Sequence, residues 1–120
     1  NMGNNDIFIV KYDSSGNVIW AKSAGGSIVD MGISISTDAL GYVYITGFFN
    51  SPTITFGSFS LTASTGGYYY DSFIAKYDAS GNIIWAKSFG GNGFHDCAFS
   101  ISADVSGNVY FSHTHSEVED

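Results

Sequence analysis

The stretch Asp71 to Gly91, DSFIAKYDASGNIIWAKSFGG, has already occurred once in this chain as Asp6 to Gly26, DIFIVKYDSSGNVIWAKSAGG. At an offset of 65 the two copies differ only at the pairs 7/72, 10/75, 14/79, 18/83 and 24/89, so 16 of 21 positions are identical. A second pair follows each copy. Asp30 to Thr46, DMGISISTDALGYVYIT, matches Asp96 to Ser112, DCAFSISADVSGNVYFS, at an offset of 66 with 8 of 17 positions identical. The spacing of Asp38-x-x-Gly41 and Asp104-x-x-Gly107 is kept between them. A period of this size means a solenoid, a propeller or an array, in which a unit buries its faces against its neighbours.

Working outward from the repeat, each long copy contains two β-branched and aromatic runs separated by an Asp-x-x-Gly turn, which predicts a hairpin. The device occurs four times, at Asp13/Gly16, Asp38/Gly41, Asp78/Gly81 and Asp104/Gly107. Asp bonds the backbone N–H groups ahead of it and Gly supplies the positive φ that closes the turn. Four antiparallel hairpins are the minimum content. In the first run Phe8, Val10 and Tyr12 point one way and Ile7 and Ile9 the other, the pattern of a strand covered on both faces. Trp20, repeated as Trp85, is predicted to be a wedge between adjacent sheets whose indole N–H finds one partner. Met31, Ile33 and Ile35 alternate with Gly32, Ser34 and Ser36, giving a bulky face and a small one. The small face suits crowding near an axis.

Gly25-Gly26 and Gly90-Gly91 mark changes of chain direction. Residues 50 to 70 form an insert holding the only proline, Pro52. Within it Thr53 to Phe56 and Phe59 to Thr62 are predicted as short edge strands, and the segment from Thr65 to Tyr70 as an exposed loop. The tail from His113 to Asp120 is polar, acidic and expected to fray.

Composition narrows the partners. The chain has 4 basic and 11 acidic residues, a net charge of −7, and no arginine. Binding phosphates requires clustered Lys and Arg, so nucleic acid is a poor candidate partner and an anionic membrane surface is disfavoured. No apolar run is long enough to span a bilayer as a helix. The 44% apolar and 17% aromatic content suits a folded β-rich chain. A single cysteine, Cys97, rules out an intramolecular disulfide. With no Met at position 1 and an end inside a repeat, the chain reads as a piece excised from something longer.

The residues D-x-F-I-x-K-Y-D-x-S-G-N-x-I-W-A-K-S-x-G-G, followed by S-I-S-x-D-x-x-G-x-V-Y, resemble the SBBP repeats of secreted and cell-surface bacterial proteins. The T-I-T-F-G…L-T-A-S…G-G segment between them is similar to that family too. The likeness covers about Asp6 to Ser112. It implies an all-β fold of β-propeller blades, each a four-stranded antiparallel sheet, with one complete central blade flanked by two half blades. Applied here, residues 6–26 are an outer half-blade, 30–91 a complete blade carrying the 50–70 insert, and 95–112 an inner half-blade. The complete blade then runs Met31–Thr37, Val43–Phe49, Ser72–Tyr77, Asn82–Ser88. The resemblance implies no shared catalytic residues.

Candidate sites are few. The Asp-x-x-Gly loops invite a calcium reading, but a Ca²⁺ site takes about 6–8 oxygens and these loops lack the denser D-x-[DN]-x-[DN]-G pattern; turn chemistry is the preferred reading. His113, His115 and His95 offer imidazoles without a carboxylate or thiolate at matching spacing. Cys97 aligns with Met31 and reads as a small hydrophobe. Asp30 and Asp96 recur in each unit, which favours a structural role over a hydrolytic carboxylate pair. Tyr68, Tyr69 and Tyr70 stand where the earlier unit has Gly3, Asn4 and Asn5, and two readings of that departure from the repeat stand side by side: a grafted ligand contact, or aromatics that pack over the edge of the strand they lead into. The structural positions are Trp20, Trp85 and the four Asp/Gly turn pairs.

The function expected from these observations is a non-catalytic extracellular or cell-surface propeller module for adhesion, display or scaffolding. A glycan- or protein-binding face at Tyr68 to Tyr70 is the alternative, and part of a polysaccharide-degrading enzyme the third. No cofactor is expected. The expected partners are neighbouring blades in the same chain or head-to-tail copies of it, then a glycan or cell-surface protein.

Overall fold

A computed structural model describes residues 6–64, 70–90 and 94–117, and side chains within that range except those of 94–99 and 113–117. The chain is all-β, with no helix among the described residues. In order the strands are β1 (Ile7–Tyr12), β2 (Val18–Ala24), β3 (Asp30–Thr37), β4 (Val43–Phe49), β5 (Thr53–Phe56), β6 (Phe59–Thr62), β7 (Asp71–Tyr77), β8 (Ile83–Phe89), β9 (Phe94–Ala103) and β10 (Val109–Glu117). They form four separate open antiparallel sheets: β1-β2, β3-β4-β7-β8, β5-β6 and β9-β10.

All four Asp-x-x-Gly segments are hairpin turns. The four glycines have φ between 86° and 88°, the left-handed region where a Cβ is strained. The two long copies also share a β-bulge, between Lys11 and Tyr12 and between Lys76 and Tyr77. The same sequence has produced the same hairpin twice, down to its irregularity.

The central sheet pairs β4 with β7 across the insert, from Val43↔Tyr77 to Phe49↔Asp71. Its two faces meet two different neighbours. Phe49, Val43 and Ile45 of β4 and Phe73, Ala75 and Tyr77 of β7 pack against Ile7, Ile9, Trp20 and Ala24 of the β1-β2 sheet. On the opposite face Tyr44 and Ile74 pack with Ile101, Ala103, Val109 and Phe111 of the β9-β10 sheet. The units therefore stack face to face, and strand pairing stays within each sheet.

Four expectations are corrected. β1 is covered on one face only: Ile7 and Ile9 are buried while Phe8 is 67% and Tyr12 60% exposed. Their equivalents on β7, Phe73 and Tyr77, are buried because the β1-β2 sheet lies over them. No described element lies over β1 on that side. The alternation along β3 is broken by a bulge between Gly32 and Ser34, which sets Met31 opposite Phe48 and Ile35 opposite Ile45 on different faces of the sheet; Ile35 is 54% exposed, while Ser36 Oγ accepts the Ala103 N–H at 3.1 Å.

The insert is not an edge accessory. Its two predicted strands form β5-β6, whose Ile54 and Phe56 are fully buried in the core between β1-β2 and the central sheet. Gly25 bonds Thr55 in both directions, at 3.2 and 3.1 Å. Finally, the segment expected to fray continues as β10 to Glu117, because β9 extends back to Phe94 and supplies backbone partners past a bulge at Ser112/His113.

Candidate functional site

The Asp-x-x-Gly turns are the most repeated polar feature. Asp13 N–H donates to the Asn17 carbonyl at 2.8 Å, and Gly16 N–H to the Asp13 carbonyl at 3.1 Å. The Asp13 carboxylate accepts the N–H groups of Ser15 and Asn17, both at 2.9 Å, and the Asn17 side-chain amide at 3.1 Å. Asp78 and Asp104 repeat this with Ser80/Asn82 and Ser106/Asn108. At Asp38 the Asn is replaced by Tyr42, and the Tyr44 hydroxyl supplies the third donor at 2.9 Å.

Bonds from Asn17, Asn82 and Asn108 hold the Asp13, Asp78 and Asp104 carboxyls below their usual range. At Asp38 desolvation pushes up but is outweighed by Tyr44, Tyr42 and Leu40, so its pKa is also lowered. These carboxylates spend their lone pairs on their own loops. That is turn chemistry. Among the described residues no group of three or more His, Cys, Asp or Glu is placed to hold a metal.

Trp20 is a wedge between sheets. It is 9% exposed, stacks on Tyr77 at 6.2 Å, and donates its Nε1–H to the Ala79 carbonyl at 3.0 Å. A Cβ on Gly81 would come within 2.8 Å of the indole, so the glycine also lets the turn seat beneath the ring. Trp85 differs: it is half-buried at the margin of the second core. What separates the two copies is the presence of a turn to receive the indole, not the indole itself.

Tyr68 and Tyr69 lie outside the described residues. Tyr70 is half-buried and meets the Phe48 ring edge-on at 5.0 Å, the packing of a strand-end aromatic. His95, Cys97, Asp96, His113 and His115 sit on β9 and β10, but their side chains also fall outside the described residues. Asp30 is fully buried, accepts the Gly26 N–H at 2.7 Å, and has no partner for its Oδ1. Burial raises its pKa, opposed by bonds from Gly26 and Ser51 and assisted by nearby Asp6. It holds the chain reversal between β2 and β3. Alignment with Asp96 gave the structural reading, but nothing in the alternation announced the burial.

A concave surface lies between β1 and the exposed stretch of β3 around Ile33 and Ile35. It holds two adjoining cavities, of about 410 Å³ and 390 Å³. The first is lined by Ile9, Val10, Trp20, Ile35, Val43 and Gly41, among others, and the second by Phe8, Ile33 and Ile45 among others. The lining is mostly apolar; Lys11, Tyr12, Thr37 and Asp38 are the polar side chains of the larger cavity, and Ser34 of the smaller. Sequence reasoning missed this groove because its walls are strand faces expected to be covered.

No family model matches the chain. It is similar to an uncharacterized WD repeat-containing protein of Acanthamoeba polyphaga mimivirus, 30% identical over 105 residues, which is 85% of this chain and 8% of that protein. It is also similar to the regulatory protein FlaEY of Caulobacter vibrioides, 27% identical over 120 residues, 89% of this chain and 13% of that protein. The chain thus spans only a small fraction of the curated relatives it matches.

Proposed function

We propose that the chain is a blade-forming segment of a β-propeller whose role is scaffolding and display. β3-β4-β7-β8 is the complete blade, β1-β2 the outer half of the blade before it and β9-β10 the inner half of the blade after it. The observation that carries this reading is the Trp20 clasp on the turn of the following unit. It joins successive sheets face to face, whereas a β-solenoid continues one sheet from repeat to repeat. Each unit's last strand leads to the first strand of the next sheet, as in a propeller. Likeness to a WD repeat-containing protein supports the same arrangement.

The polar side chains that recur are engaged in turns and chain reversals, and this favours a non-catalytic role. The extracellular or cell-surface setting rests on the resemblance to SBBP repeats. Tyr70, packed on Phe48, gives a glycan-stacking role little support.

A polypeptide of several tandem copies, imaged by electron microscopy, is expected to be a disc of radially arranged sheets. A rod with one continuous sheet would overturn the propeller. Turnover of polysaccharide by the same material would overturn the non-catalytic role.

A further inference from the structure

We propose that the groove between β1 and β3 is a docking site for the β9-β10 hairpin of a second copy of this chain, which joins copies head to tail; this rests on the blade reading above. The occupant follows from an interface the molecule already contains. By the repeat alignment β10 stands where β4 stands, opening with the same Val-Tyr pair, and β1 matches residues 72–77 of β7 at four of six positions. β4 and β7 are paired in the central sheet. Transferring that register gives Val109↔Tyr12, Tyr110↔Lys11, Phe111↔Val10 and Ser112↔Ile9 between copies. β1 and β10 each have one strand neighbour among the described residues, so both edges are open to it.

The contacts that seat β9 on β3 have vacant counterparts in the groove. Ser36 Oγ accepts the Ala103 N–H; the corresponding pair is Ser102 of the arriving copy and Thr37 of the receiving one. Tyr44 reaches the Gly107 carbonyl at 3.4 Å; its counterpart Tyr110, 62% exposed, would reach Gly41, which lines the larger cavity. Lys76 lies over the Tyr44 ring at 5.4 Å, and Lys11 would lie over Tyr110 in the same way.

The same step covers the other bare surfaces. The arriving hairpin lies over Ile33 and Ile35 of β3. On the donor copy, Trp85 meets the Asp13–Asn17 turn of the receiver as Trp20 meets the turn at Asp78, and Tyr12 of the receiver stacks on it as Tyr77 does on Trp20. A Cβ on Gly16 now meets nothing within 4 Å, which leaves room for that indole. Contacts of this head-to-tail kind close into a ring or extend as a filament.

The test is a Lys11→Cys/Tyr110→Cys chain in a Cys97→Ser background, oxidised or bridged with a short bismaleimide. Both positions are on or near the surface, so folding is retained and is checked by circular dichroism. A ladder or a closed ring of cross-linked copies is expected. Val10→Cys/Tyr110→Cys, displaced by one residue and so facing the other way, should give none, and Phe8→Asp should abolish the ladder with the spectrum unchanged. A folded monomer without cross-links overturns self-association, and equal cross-linking of both pairs overturns the register. Two copies fused in one polypeptide separate the two readings: if the cross-link forms within the fusion and not between single chains, only self-association fails. Its absence from the fusion as well brings down the blade reading.

Discussion

Removing the Trp20 indole tests the face-to-face packing most directly. Trp20→Ala empties a site that is 9% exposed, and truncating a buried aromatic of this size costs about 3–5 kcal/mol. The lost Nε1–H bond to Ala79 leaves a carbonyl at a partly buried turn and adds roughly 1 kcal/mol. With a urea m-value of about 1.5 kcal/mol/M, a total loss of about 4–6 kcal/mol lowers the unfolding midpoint by roughly 3–4 M. Trp20→Phe keeps most of the ring contact with Tyr77 and loses the bond, so its cost should be about 1–2 kcal/mol. Trp85→Ala provides the internal comparison, because the sequence around it is nearly the same and the environment is not. At low protein concentration, with only part of its indole covered, it should cost about 1–2 kcal/mol. Urea titrations of the three variants, followed by far-ultraviolet circular dichroism, give the ranking. Equal losses at Trp20 and Trp85, or a larger loss at Trp85, would refute the claim that a neighbouring turn makes the wedge.

Gly81→Val should cost more than Gly16→Val in thermal melts. Both incur about 1–3 kcal/mol of positive-φ strain, but only at Gly81 does a Cβ also meet the Trp20 indole at 2.8 Å; Ala79→Ser should be nearly neutral. Asp30→Asn removes a carboxyl whose pKa burial raises above 3.8. The native state holds that proton more tightly than the unfolded one, so wild-type stability from this group is present at low pH and falls as pH rises through the raised value. The variant's stability relative to wild type should therefore improve between pH 4 and pH 7, and a pH-independent difference would show that Asp30 titrates normally. Burial pushes the Tyr44 and Tyr77 pKa values up to about 12, with Asp38 reinforcing Tyr44. The folded chain should lose stability as pH climbs from 10 towards 12, and Tyr44→Phe should flatten part of that slope in alkaline melts.

The hairpins were legible because their information is local. An Asp whose carboxylate bonds the next N–H groups and a Gly with positive φ fix a turn without help from the rest of the chain. The β4-β7 pairing, which spans the insert, was expected only through the resemblance to SBBP repeats. Side-chain coverage was not legible in the same way. Phe8 and Phe73 stand at equivalent positions in near-identical strands, yet one is exposed and the other buried, since coverage belongs to the neighbouring unit and not to the strand. Ile54 and Phe56 showed the alternation of a half-buried strand, but nothing in TITF says which core they enter. The polar run HTHSE hid the extension of β10, whose pairing is supplied by backbone groups that have no signature in side-chain chemistry.

Near-identity between units has a kinetic side. While the chain folds, β4 meets two strands of almost the same sequence, β1 and β7, and only one pairing is native. Proximity along the chain discriminates weakly, because closure entropy grows only with the logarithm of loop length. The β5-β6 hairpin supplies a selection that the paired strands lack: Ile54 and Phe56 are buried beside Phe73 only when β7 takes the place next to β4. The insert thus works as an address label, marking one of two interchangeable hairpins as the partner.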